Sequence, residues 1–456
     1  MRTYLADTVL LSQGWARDVL IEVEPSGNIA GVVADAKSGL AEPVHGIVLP
    51  GMIDLHSHAF QRALAGLTQE LGADAASFWT WRDTMYAFAQ KITPDEQRAI
   101  AAQLYVELLK GGYTSVVEFH YLHHAPDGQR YAEPAAMSVA LHEAALEAGI
   151  ALTLLPVIYM QAGVNGGPLT DAQRRFALDP DGWVQLAGIV EGVFADDPNR
   201  RLGLALHSVR AVPQAAISAA VAAAREQPGN LPIHIHLAEQ PKEVRDCLER
   251  LNRRPLGVLT EAADLDHRWC LVHGTHLTAE ELATVADRQA VIGLCPSTEA
   301  DLGDGIFPLA EHLALGGQYG IGSDSNMATD AAGELRLLEQ GQRLGELRRV
   351  AAASPAQPHV GPALWNAALQ GGAKAAGRPA GRIAPGFRAD LVVLDPEHPS
   401  LFARSGDLLL DSHLFAPGSA VRDVMVGGSW SLRAGHHAAE ASVARSYRRA
   451  MQRLLA

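Results

Sequence analysis

Lysine is scarce in this chain: five residues, Lys37, Lys91, Lys110, Lys242 and Lys374, among 456. With a net charge of −14 and no basic stripe, that scarcity excludes an extended nucleic-acid footprint. An anionic small molecule would have to be met by locally placed arginines. Cysteine is equally sparse. Cys247, Cys270 and Cys295 are an odd number without CxxC spacing, which excludes a disulfide framework and a zinc ribbon and fits a reducing, cytoplasmic setting. No apolar run approaches the roughly 18 residues of a membrane span, and the N-terminal residues lack the pattern of a secretory signal. No G-x-S-x-G elbow surrounds Ser57, so a serine hydrolase of that type is excluded as well.

What is present is alternation. Residues 1–48 read as short strands around turns, with "EPSGN" a hairpin signal, and 381–395 and 419–435 have the same texture. The two ends together are expected to form one small β-sandwich, made of 1–48 and 378–456, the latter carrying a C-terminal helix. Between them, over 49–377, apolar runs alternate with helices. The runs are 48–55, 114–119, 151–158, 202–206, 231–237, 269–273, 290–295 and 319–324. Helix starts are legible where Thr93 with Glu96 and Thr278 with Glu281 spell capping boxes, and Gly111-Gly112 stops the first of these helices. Eight buried strands alternating with helices predict an α/β fold of the (β/α)8 TIM-barrel type. An open doubly wound sheet is the competing architecture.

In such a barrel the chemistry gathers at the C-terminal ends of the strands. There the sequence places His56 and His58, then His234, His236 and Glu239, then His273, then Asp324. Imidazole and carboxylate at this density suit one divalent first-row metal, zinc above all. Residues two apart on a strand share a face, so His56 and His58 can reach one point. His234 and His236 also share parity. The later one lies nearer the barrel mouth and is the expected ligand, with His234 packed deeper. A second metal bridged by a modified lysine is not expected, because none of the five lysines falls in the third or fourth strand.

The stretches "PGMIDLHSHAF", "HLAEQ", "CLVHGTH", "CPSTEADLGDGIFP", "GSDSN" and "GRIAPGFRADLVVLD" together resemble the amidohydrolase superfamily in its mononuclear deaminase branch. The resemblance implies a barrel with a β-sandwich from both termini. It makes His56, His58, His236 and Asp324 the metal ligands, and Glu239 and His273 the acid/base residues. A divalent metal brings the pKa of its water down to about 7, so hydroxide forms at neutral pH. Asp324 then takes the proton from that water, Glu239 shuttles one to nitrogen, and His273 stabilises the attacking oxygen while ammonia leaves.

A further set of stretches narrows the substrate. "FWTWRDTMY" places Arg82 among aromatics in a long loop after strand one, "EFHYLHH" places Tyr121 past strand two, and "HSVRAV" places His207 and Arg210 past strand four, with Gln61 just after the first metal motif. Two arginines near one barrel mouth suit a small dicarboxylate, which a guanidinium grips in bidentate fashion. These stretches are similar to a narrower family, the N-formimidoyl-L-glutamate deiminases of histidine breakdown. That resemblance implies Gln61, Arg82, Tyr121, His207 and Arg210 as substrate contacts, with N-formyl-L-glutamate and ammonia as products. Asn326 departs from it, standing where a histidine is expected. Two other readings are a purine or adenosine-derivative deaminase of the same superfamily and a metal-free assembly subunit. A homodimer is the expected assembly.

Overall fold

The computed structural model describes residues 1–456 except Ser38, 71–77, Asp196 and Pro417. Eight parallel strands form the predicted barrel, in the spatial order of the chain: β5 (Met52–Ser57), β6 (Tyr113–His120), β7 (Ala151–Ile158), β9 (Leu204–Ser208), β10 (Ile233–Leu237), β11 (Trp269–His273), β12 (Val291–Leu294) and β13 (Gln318–Ile321). A short strand, β8 (Arg200–Leu202), pairs with β7 just ahead of β9. These strands are buried almost throughout, which is why they read as apolar runs and not as alternating ones. Both predicted capping boxes are formed, at the starts of helices Pro94–Lys110 and Ala279–Asp287. No described helix is long and apolar enough to cross a membrane.

The termini supply a second sheet. It contains β1 (Arg2–Leu11), β2 (Gly14–Val23), β3 (Ile29–Val33), β4 (Glu42–Pro50), β14 (Leu391–Leu394), β15 (Val421–Val426), β16 (Ser429–Arg433) and β17 (His436–His437). Their order is β17-β16-β15-β14-β4-β1-β2-β3, one continuous path. The sandwich arises because this single sheet folds over on itself. Tyr4 on β1 meets Trp430 on β16 edge to face at 6.0 Å, although three strands separate them along the sheet. Between the two halves lies a core of its own, with Val19, Ile21, Val48, Leu391, Val393 and Met425.

The apolar run 48–55, read as one strand, is two. Pro50 and Gly51 break it, so that β4 belongs to the terminal sheet and β5 opens the barrel. A proline has no N–H for a ladder. Gly51 donates to the carbonyl of Asp390, and a Cβ there would fall 2.2 Å from the Thr114 side chain. The chain thus passes here from the terminal sheet into the barrel, and it returns after helix Val360–Ala375 at β14.

The barrel closes in an unusual place. Between β13 and β5 the hydrogen bonds lie at the C-terminal end only, where Asp324 N donates to His56 O at 2.8 Å and His58 N donates to Asp324 O at 2.9 Å. Lower down, helix Val360–Ala375 packs backbone to backbone against the seam. A Cβ on Gly371 would stand 1.9 Å from the Tyr319 carbonyl oxygen, and one on Gly320 would stand 2.7 Å from Gly372 N. The end of this helix plugs the N-terminal mouth: Ala375 O accepts from His234 and Ala376 O accepts from Thr153.

That packing predicts opposite outcomes for two helical glycines. G371A must push the helix off β13 and is expected to destabilise the fold by about 1–3 kcal/mol or more. G341A, in helix Ala331–Glu346 with nothing within 4 Å of its Cβ position, should stabilise it by about 0.5–1 kcal/mol. Denaturant unfolding of the two variants beside the parent checks the pair; equal midpoints would refute the close approach.

Candidate metal centre and its pocket

Four side chains meet where the barrel closes. The Nε2 atoms of His56 and His236 lie 3.0 Å apart, and Asp324 Oδ1 lies 3.4 Å from His56 Nε2 and 3.2 Å from His58 Nε2. One ligand atom from each of the four can be chosen so that all lie within 4.8 Å of one another, and every one of these residues is buried. The tautomers are set from behind. His58 Nδ1 donates to Phe119 O and His236 Nδ1 donates to His207 O, both at 2.9 Å, which leaves their Nε2 lone pairs bare. Burial holds His56 down to about 3 and His236 well below the ordinary histidine value, so both imidazoles are neutral. Two bare nitrogens and a carboxylate oxygen converging at this range, with His56 Nε2 beside them, favour a positive charge at their centre. The donor set, three imidazole nitrogens and one carboxylate oxygen, fits a divalent metal with room for a further ligand.

His234 is not in this cluster; its ring turns down to the plug. Asn326, standing where the resemblance expects a histidine, donates from Nδ2 to His58 O at 3.0 Å and Asp324 O at 2.9 Å. Ser57 faces the other way, its hydroxyl 3.4 Å from Asn326 Oδ1. Beneath them Asp54 accepts from Ser323 N at 3.0 Å; burial pushes its pKa up to about 7.

Glu239, His273 and Asp324 owe their direction to backbone strain. Ala238, His273 and Asp324 all have left-handed φ, at 50°, 68° and 49°. Cys270 and Val272 pack in a small interior cluster with Leu55 and Val291, so strict alternation would send His273 outward; the left-handed turn brings it back. Its Nε2 then lies 3.8 Å from Glu239 Oε1 and 3.8 Å from Asp324 Oδ2, while Nδ1 is held 3.2 Å from Glu299 Oε1. Burial works against a charged His273, but Glu239, Glu299 and Asp324 outweigh it and hold its pKa up at about 10. The charge of a bound cation works against that protonation.

Above the cluster opens a cavity of about 370 Å³, within the size range of small-molecule sites. Gln61, Arg82, Tyr121, His207 and Arg210 all line it, together with His58, His236, Glu239, His273 and Asp324. Gln61 Nε2 donates to Tyr121 OH at 2.8 Å, and its Oε1 is buried without a partner. Arg82 does not lie in a loop. It belongs to helix Phe78–Ala89, where Trp79, Arg82 and Tyr86 share a face and the guanidinium lies 4.5 Å from the Trp79 ring centre and 5.3 Å from that of Tyr86. A run of aromatics spaced both two and three apart hides helical periodicity, which is why the helix was not legible. Arg82 Nε is buried without a partner and, among the described residues, Asp83, at 4.0 Å, is the carboxylate nearest its guanidinium. Arg210 differs, lying 3.3 Å from Glu239 Oε2 and 3.9 Å from Glu243 Oε2. Burial, with Arg210 next, keeps His207 neutral.

Sequence reasoning missed several residues that build this site. Glu299, Glu243, Tyr86 and Tyr159 were not singled out. Glu299 stands in the "CPSTEADLGDGIFP" motif, four residues past the end of β12's apolar run, and could have been found as an acid near a strand end. Glu243 follows Glu239 by one helical turn. Tyr159 carried no signal beyond its place after β7.

Comparison with known proteins agrees with this geometry. The amidohydrolase family model matches residues 47–431. Formimidoylglutamate deiminase of Pseudomonas aeruginosa is 48% identical over 456 residues, covering all of both chains. The crystal structure of an amidohydrolase from Brucella melitensis superposes with a TM-score of 0.94 at 40% identity over the whole of both chains. An adenosine deaminase from Xanthomonas campestris, solved with bound zinc, shares the fold with a TM-score of 0.81 at 22% identity, over 99% of this chain and 98% of its own. A TIM-like barrel with a sheet from the termini, a His-His-His-Asp cluster at the strand ends and these matches place the chain in the amidohydrolase family, a family of metal-dependent hydrolases.

Proposed function

We propose that the chain hydrolyses N-formimidoyl-L-glutamate, an intermediate of histidine breakdown, to N-formyl-L-glutamate and ammonia, with one zinc ion bound by His56, His58, His236 and Asp324. The observation that carries this is the pairing, in one cavity, of the four-residue cluster with two arginines, Arg82 and Arg210. The substrate has a carbon to hydrolyse and two carboxylates to anchor. The full-length similarity to the Pseudomonas aeruginosa deiminase supports the same reading.

A divalent metal, when bound, supplies a hydroxide nucleophile near neutral pH by lowering the pKa of water. The residues supply the rest. Asp324 presents Oδ1 to the histidines and Oδ2 toward His273, so Oδ2 takes the proton released as the nucleophile forms. The hydroxide oxygen bonds to the formimidoyl carbon while its C=N π electrons move to nitrogen. His273 Nε2–H donates to that oxygen and stabilises its charge. Glu239, reaching over the same point, delivers a proton to the departing nitrogen. Glu239 then takes the proton of the added hydroxyl, Asp324 gives the nitrogen the proton it took from water, the C–N bond breaks, and ammonia leaves the formyl C=O behind. Arg82 and Arg210 hold the two carboxylates throughout.

Ammonia release from N-formimidoyl-L-glutamate is expected to exceed that from N-formimidoyl-L-aspartate, guanine and adenosine. Silence with the first alongside release from a purine would replace this substrate by the other class. R82M should raise KM about tenfold to a hundredfold with kcat little changed, the loss of one charge-assisted hydrogen-bonded grip. R210M should lower kcat as well, because Arg210 also touches Glu239. Unaltered KM in both variants would rule out a dicarboxylate substrate. Metal analysis should find about one zinc per chain in the parent and a small fraction of that in H58A and D324N. Chelation should abolish turnover and added zinc restore it; a fully active, metal-free chain would overturn the assignment.

A further inference from the structure

On the opposite, N-terminal face of the barrel lies a second cavity, of about 580 Å³. Its walls carry Arg201, His267, Arg268, Lys374, Arg378 and Arg382 and, among the described residues, no aspartate or glutamate. In a chain with 51 acidic and 37 basic residues this is an unexpected concentration of one sign. Among the described residues, Arg268 alone of these four arginines and one lysine is neutralised at close range, by Asp266 at 2.6 Å.

The others are held by neutral groups. Arg201 donates to Gly229 O at 2.6 Å and Asn230 O at 3.1 Å, and Lys374 to Gln289 O at 2.5 Å and Gln318 Oε1 at 2.6 Å. Arg378 donates to Pro198 O at 3.3 Å. Arg382 lies 5.6 Å from the Phe387 ring centre. The Nε atoms of Arg201 and Arg378 are buried and have no partner, and Arg378 as a whole is only 7% exposed. Gly377, at φ +61°, lets Arg201 lie across the turn; a Cβ there would stand 2.6 Å from Arg201 Nε. Burial lowers the pKa of Arg378 to about 10. Asp390 behind it raises the value, and Arg388, Arg200 and Arg201 lower it further. Leaving buried guanidinium N–H groups unsatisfied beside like charges is costly, and nothing in the closure of the barrel requires four such cations together.

We propose that this cavity binds a small phosphate-bearing anion. Four cations without a close carboxylate match a group of two or more negative charges, which one carboxylate does not supply. Guanidinium forks and an ammonium around one space are the usual grip on phosphate. The cavity is also larger than an inorganic phosphate fills, which points to an organic phosphate or a diphosphate.

Calorimetric titration of the zinc-loaded full chain at low ionic strength, with pyrophosphate, AMP and L-glutamate as probes, tests this. Pyrophosphate or AMP should bind saturably at one site per chain. R201Q and R382Q should each weaken that binding about tenfold or more. R82M, in the cavity on the other face, should leave it unchanged. Arg382 is exposed, so R382Q keeps the test valid if R201Q does not fold. Absence of saturable binding, indifference to R382Q, loss of binding in R82M, or L-glutamate binding that R382Q weakens as much as it weakens the phosphates would each overturn the proposal.

Discussion

Two backbone hydrogen bonds, Asp324 N to His56 O and His58 N to Asp324 O, do two jobs at once. They are where the last strand of the barrel meets the first, and the three residues that make them are three of the four in the candidate metal cluster. Barrel closure and ligand assembly are therefore one event. Below this point the seam holds no ladder, and contact falls to the glycine-lined face of helix Val360–Ala375. A bulge on β5, where Asp54 faces Val116 but Ser57 faces Glu118, adds the extra residue that lets Leu55 reach the interior cluster and His56 reach the metal site. Gly322, whose Cβ would fall 2.7 Å from His56 O, completes the approach from the other side.

Closure sets the electrostatics in turn. Burying His56 and His236 together in a dry place keeps both neutral, and neutral imidazole is the ligand form. The same dryness makes the surrounding carboxylates expensive. Asp54 and Glu118, directly behind the histidines, are pushed to about 7 and about 8 by burial. Glu118 is nonetheless fixed, accepting from Ala59 N at 2.6 Å and from Tyr105 OH at 3.2 Å. Unpaired buried polar groups cost about 1–3 kcal/mol each, more when charged, so this carboxylate earns its place by fixing the chain just after His58.

Most of the architecture was legible from the chain because it rests on local signals. Buried parallel strands read as apolar runs, capping boxes and double glycine mark helix ends, and the polar residues that interrupt the pattern fall at strand ends, where a barrel does its chemistry. What was not legible depends on long-range geometry. Nothing near His273 or Asp324 announces a left-handed φ in a residue with a side chain; only the surrounding structure can hold it there. The split at Pro50-Gly51 was hidden because both halves are apolar, each buried in a different sheet. Helix Phe78–Ala89 was hidden by an aromatic run that serves two ends at once, Trp79 and Tyr86 flanking Arg82 while Tyr86, Phe88 and Trp81 pack into the core. Glu299 reaches the site through His273, which it meets by the folding of a separate helix, and it also accepts from Cys295 N at 2.8 Å.

The two arginines of the catalytic cavity are held in contrasting ways, and the contrast bears on how the proposed reaction proceeds. Arg82 is supported by the faces of Trp79 and Tyr86, with an unpartnered Nε, so a carboxylate can approach it without breaking a close ion pair. Arg210 is already engaged by Glu239 and Glu243. Glu243 lies farther off but is fully buried and has no route to solvent, whereas Glu239 lines the cavity. A substrate carboxylate reaching Arg210 therefore competes chiefly with Glu239. As it takes over the guanidinium, it releases Glu239 Oε2 from its ion pair and leaves that carboxylate free to turn toward the substrate nitrogen. Binding the substrate's charge at one end thus readies the proton carrier at the other. The anion that the acidic chain must attract is the same one that prepares the group that acts on its nitrogen.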